Sequence, residues 1–165
     1  MNAYDYITTF ATAVRDDATV KAYAIATYGK GLLVQIDTDM EDLIGSDEAP
    51  YLLIKSIPGA DDSPVVEMNQ ATILLEAGAV VSGNAPYYSD TTKRTTTANG
   101  LRVYGQGSAV CTLLEKCIDA IKAKALTAGD QLQTTSIDAE GSLFFPLQVA
   151  RSNLTVVQTN DMSSF

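Results

Sequence analysis

Between Ser108 and Leu126, Val110, Leu113, Leu114, Cys117, Ile118 and Ile121 recur at helical spacing, and this run constrains the fold more than any other. At 3.6 residues per turn these six side chains fall on one apolar stripe, so the segment is a long amphipathic helix. Ser108 reads as its N-cap, and Gly129 lies just past its end. Such a stripe must be buried against another element. The β-rich segments on either side of it make that partner a sheet.

The rest of the chain fits this picture. Ile7, Phe10, Ala11 and Val14 form a second, shorter helical stripe, with Asp5 as its cap. Val20 to Tyr28 fits either period, and its alanine content and the following Gly29 decide for a helix. Leu32 to Ile36 and Tyr51 to Ile57 read as strands, the latter closed by Pro58-Gly59. Pro64 to Ser82 reads as one extended strand, or a pair joined by a bulge near Gly78. From Asn84 to Gly107 the composition turns to Thr, Ser, Asn, Gly and Tyr, which marks a long loop leaving the core. Gln131 to Thr159 supplies two or three more strands, with Phe144-Phe145-Pro146 at a turn or edge. The expected fold class is α+β: one domain over 1–159, with an antiparallel or mixed sheet of about five strands and helices packed on one face. Residues 160–165 are expected to form a flexible tail.

A chain of 165 residues suits one domain that buries its own core. Its first residues carry no positive cluster followed by an apolar run, and Glu76 interrupts the apolar stretch Ile73 to Val81, so no membrane or secretory segment is expected. Cys111 and Cys117 lie six residues apart in one helix, about 9 Å along its axis, too far to bond to each other. Reducing, intracellular folding follows.

Charge and chemistry narrow the function. Twenty acidic residues against eleven basic ones give −9, where a free-standing nucleic-acid binder is basic. The chain has no histidine, which removes Ser-His-Asp and Cys-His nucleophile systems, HExxH metal sites and most zinc sites. Gly29-Lys30-Gly31 and Gly105-Gln106-Gly107-Ser108 match neither phosphate-loop pattern and read as a turn and a cap. No catalytic residue and no cofactor is assigned.

Acids concentrate at Asp37, Asp39, Glu41, Asp42, Asp47 and Glu48. Asp37, Asp39, Glu41 and Glu48 occupy ligand positions 1, 3, 5 and 12 of a calcium loop. Asp42, however, stands where that loop needs glycine, and the flanks read as strands. These four are weak metal candidates; a solvated acidic loop is the preferred reading, facing a lumen or an interface. Paired carboxylates for acid–base work would need a cleft that the sequence does not define. Lys93 and Arg94, near Arg102, form the one basic spot, read as a loop tip or as a contact to phosphate or an acidic neighbour. Tyr87 and Tyr88 are either core or an exposed aromatic anchor. The sequon Asn153-Leu154-Thr155 falls in an expected strand.

The layout resembles the tail terminator, or tail completion, proteins of long-tailed bacteriophages. An N-terminal helix with Ile7, Phe10 and Val14, a second element ending Tyr28-Gly29-Lys30, a strand, an acidic connection and Pro50-Tyr51-Leu52-Leu53-Ile54 carry the likeness. So do the mid-chain loop before the long helix, Phe145-Pro146-Leu147, and Asn153-Leu154-Thr155-Val156-Val157. The likeness is one of element order; the Thr-rich loop and the lack of tryptophan depart from it. The resemblance implies a virion protein, not an enzyme: a homo-oligomer, usually a hexameric ring, that ends tail-tube growth and joins the tube protein to the head-side connector. DNA would pass through without specific binding. Its acidic segment would face the lumen or a basic neighbour, and the loop with Tyr87, Tyr88, Lys93, Arg94 and Arg102 would reach another subunit or the tube. The alternatives are another neck or tail-tube protein, or a small α+β domain that binds a divalent cation.

Overall fold

The structure is a computed structural model and describes residues 3–37, 44, 47–56, 68–80, 95–96, 102–103, 105–124, 130–134, 137–140 and 147–159. Helix α1 (Ala3–Asp16) and helix α2 (Ala18–Tyr28) come first. Strands β1 (Leu33–Ile36), β2 (Tyr51–Ser56) and β3 (Met68–Val80) follow. A two-stranded hairpin, β4 (Thr95–Thr96) with β5 (Arg102–Val103), stands apart from the main sheet. Helix α3 (Gly105–Ala123) leads to β6 (Asp130–Thr134), β7 (Asp138–Glu140) and β8 (Leu147–Thr159).

The main sheet runs in the order β1-β2-β3-β8-β6, with β7 also paired to β8. β6 pairs with Leu154 to Gln158 and β7 with Val149 to Arg151, so the two share one edge of β8 in succession. β1 and β2 are parallel and every other pair is antiparallel, which makes the sheet mixed. The fold is therefore α+β with helices on one side of a sheet five strand positions wide. β3 and β8 form its spine, paired without a break from Met68↔Thr159 to Val80↔Leu147.

Alternation along the strands sends Leu52 and Ile54, Ile73, Leu75, Ala77 and Ala79, and Ala150, Leu154 and Val156 to the helical side. There they meet Tyr6, Ile7, Phe10 and Val14 of α1 and the α3 stripe, all buried. Each fully buried Leu or Ile on this face contributes roughly 1.5–3 kcal/mol. α1 lies over β1, β2 and β3, and α3 over β3, β8 and β7. α2 packs on α3 and α1, so it is the outermost layer of the helical side.

Several local expectations change. α3 begins at Gly105, so Ser108 lies inside the helix instead of capping it, and the loop expected over 84–107 gives up its last three residues. Asp5 sits in the first turn of α1, which already begins at Ala3. β3 has no bulge at Gly78, because register continues through Gly78 on both sides. The glycine serves packing: Tyr51 is its partner on β2, and a Cβ at position 78 would fall inside the Tyr51 ring. The segment Phe144-Phe145-Pro146 and the expected tail 160–165 lie outside the described residues.

Candidate functional site

The helix-free side of the sheet holds the most organised polar group. Leu53, Tyr51, Glu76, Gly78, Val149 and Arg151 share this face across β2, β3 and β8, and Glu76 is opposite both Leu53 and Arg151. Arg151 Nε donates to Glu76 Oε2 at 2.7 Å, and Tyr51 Oη donates to Glu76 Oε1 at 2.9 Å. Tyr51 reaches along β3 because the glycine beneath its ring leaves room. Burial, then the neighbouring Glu76 charge and its hydrogen bond, push the Tyr51 phenol upward, so it holds its proton and donates it. Each group answers another within the triad, which ties three strands together and presents no free nucleophile or base.

At one end of this side lie Ile44 and Ala49, from the connection between β1 and β2. Ile44 and Ala49 pack with Tyr51, Leu53, Leu33 and Leu147. That contact places these two residues on the helix-free side. Asp37 begins the connection in a left-handed turn (φ 55°), with its N–H donating to Ile54 O at 2.9 Å. Lys30 Nζ donates to Asp47 O at 2.9 Å, tying the second half of the connection to the end of α2. The side chains of Asp37, Asp47 and Glu48 are exposed. Asp39, Glu41 and Asp42 lie outside the described residues, as do Tyr87, Tyr88, Lys93 and Arg94. Arg102 is described only as backbone in β5. Among the described residues no three metal-ligating side chains gather. The connection is flanked by two parallel strands, a setting unlike the helix–loop–helix of a calcium hand.

On the opposite side, α2 is capped at both ends. Asp17 Oδ1 accepts from the Val20 N–H at 2.8 Å, and Gly29, at φ 71°, closes the helix with its N–H on Ile25 O. Its inner face buries Val20 and Ala24. Tyr23 Oη donates to Ala109 O of α3 at 3.0 Å, and Lys116 Nζ lies 5.3 Å from the centre of the Tyr23 ring. Tyr28 meets the same ring edge-on, and its buried hydroxyl has no hydrogen-bond partner among the described residues. Burial pushes the nearby Cys117 thiol up to about 12 and also raises that of Cys111, which disfavours the thiolate form of both. The outer face of α2 carries Ala18, Ala22, Ile25 and Ala26, all exposed, and Ile25 at 58% is the one exposed large hydrophobic among the described residues.

Charge divides the same way. Residues 1–31 and 105–124, which hold the three helices, carry six Lys or Arg and five Asp or Glu, a net of +1. The remainder of the chain carries five and fifteen, a net of −10. The helical segments are thus nearly neutral, and the rest of the sequence holds the surplus of acid.

The sequence reading placed Asp37, Asp47 and Glu48 on one connection, where the structure also has them. It missed Tyr51, Glu76 and Arg151 as a group. Their one available signal is a lone acid and a lone arginine in the middle of otherwise apolar or uncharged strands. No protein-family model and no curated protein matches the chain.

Proposed function

We propose that this chain is a structural virion protein, a subunit of a ring at the head-proximal end of a long phage tail that ends tube growth and joins the tube to the head-side connector. The observation that carries the reading is the uneven charge along the chain, a net of −10 outside the helical segments against +1 within them, beside an exposed apolar residue, Ile25, on α2. Six copies at −9 each would give a ring of about −54. Such a conduit repels the phosphate backbone, so DNA passes without being gripped. The order of elements, with two helices, an acidic connection, a long helix and a closing strand, is the order on which the resemblance to tail terminators rests. Thiols held in the protonated form and the closed Tyr51–Glu76–Arg151 triad agree with action through surfaces.

Electron microscopy of the purified protein tests this directly. A closed ring is expected; an open polymer would assign the chain to the tube or neck, and a compact monomer at every concentration would sink the reading. Reversing Asp39, Glu41 and Asp42 to lysine should lower virion yield or DNA passage, and wild-type yield and infectivity would count against a role for the acidic connection.

A further inference from the structure

The edge of the sheet formed by β6 and β7 carries an offset of one residue. Thr134 pairs with Leu154 and Asp138 with Arg151, so residues 135–137 on the edge stand against only residues 152 and 153 on β8. That is the count of a β-bulge. Side chains before and after the offset report it independently. Leu132 and Ile137 are five positions apart, a spacing that sends them to opposite faces of an unbroken strand, yet both pack against the core on the helical side. The extra residue thus returns Ile137 to the core and leaves Asp138 exposed, opposite Arg151. Among the described residues, no strand pairs with the outer side of β6 or β7. Without the offset, 130–140 would be one continuous edge strand, and the stretch contains no proline, glycine or lysine to blunt it. The opposite edge, β1, is blunted by its length of only four residues.

We propose that this offset closes the β6–β7 edge to strand addition by another chain. An added strand needs a regular row of N–H and C=O groups to pair with. The offset breaks that row into stretches of five and three residues, and a bulge also bends and twists the strand that carries it. Contacts between copies are thereby left to surfaces other than this backbone edge.

Deleting Ser136 removes the offset while keeping each pair of β6 and β7 with β8 available, and it leaves Leu132 and Ile137 on the core side. Three full-length proteins are compared: wild type, the Ser136 deletion, and the deletion combined with Gln131→Lys and Gln133→Lys, two exposed edge positions. Circular dichroism checks folding, and high salt screens the acids. Deuterium exchange over 130–140 is followed by mass spectrometry as protein concentration rises. Wild type should exchange at one rate throughout. The deletion should slow by about 10-fold or more as strands pair, and the two lysines should restore fast exchange. A deletion variant that behaves as wild type overturns the proposal, and so does slowing that survives the lysines. Should the deletion not fold, wild type decides alone: slower exchange of this segment at high concentration overturns the proposal, and constant exchange upholds it. A ring built through other surfaces leaves the segment fast, so the outcome does not depend on the ring reading.

Discussion

Gly78 lies in the middle of β3, where glycine ordinarily weakens a sheet because it has no side chain to pack. Tyr51 removes that weakness by laying its ring over the vacant position, and from there its hydroxyl reaches Glu76. Replacing Gly78 with alanine should therefore cost about 1–3 kcal/mol, measured by chemical denaturation, because the ring has to move. In a Tyr51→Ala background the same change should be neutral or stabilising, since the clash is gone. Equal costs in both backgrounds would show that the glycine is needed for its backbone instead. Tyr51, Tyr28 and Cys117 share another property: burial raises all three above their ordinary values. A raised group stabilises the fold while it stays neutral, so that stability is complete below the ordinary thiol and phenol range and is lost as pH climbs toward the folded-state values. The denaturation midpoint should hold steady from neutral pH and fall above about 9, and Cys117→Ala should make the fall shallower up to about 12. A flat midpoint through pH 11 would contradict this.

At the scale of elements, a cap fixes where α2 starts. Asp17 holds the α2 N-terminus through Val20, so Asp17→Ala should lower stability by about 1 kcal/mol in thermal or denaturant unfolding. α1, α3 and the strands at Leu33, Tyr51 and Leu154 were legible in the sequence from their apolar periodicity, whereas α2 fitted either period and was legible through its alanines and Gly29. The start of α3 was not. Gly105 and Gly107 are poor helix formers, so a reading by propensity stops at Ser108, whereas the helix extends back to Gly105. Gly78 misled in the opposite direction: a strand glycine suggests a bulge, and only its partner on β2 shows that an aromatic ring fills the space. The triad escaped for a related reason. Glu76 lies 25 residues from Tyr51 and 75 from Arg151, and only strand register brings them together. The acidic connection was legible as composition, but the packing of its Ile44 and Ala49 against Tyr51 and Leu53 was not.

For the molecule as a whole, the uneven charge sets which neighbours it accepts. A net charge of −9 repels a phosphate backbone. Duplex DNA should show no retardation by the protein even at low ionic strength, with a Kd weaker than about 10⁻⁴ M, and a shift at micromolar protein would contradict the conduit reading. The spine of the sheet adds a mechanical property. β3 and β8 run antiparallel along thirteen residues each, roughly 40 Å of continuous ladder. Tension that slides one of these strands lengthwise past the other loads every rung together, whereas tension that separates them sideways breaks rungs one after another. On the proposed ring reading, a subunit anchored so that load runs along this pair would resist strain far better than one held crosswise, which makes the orientation of these two strands the property to measure in any assembly the chain forms.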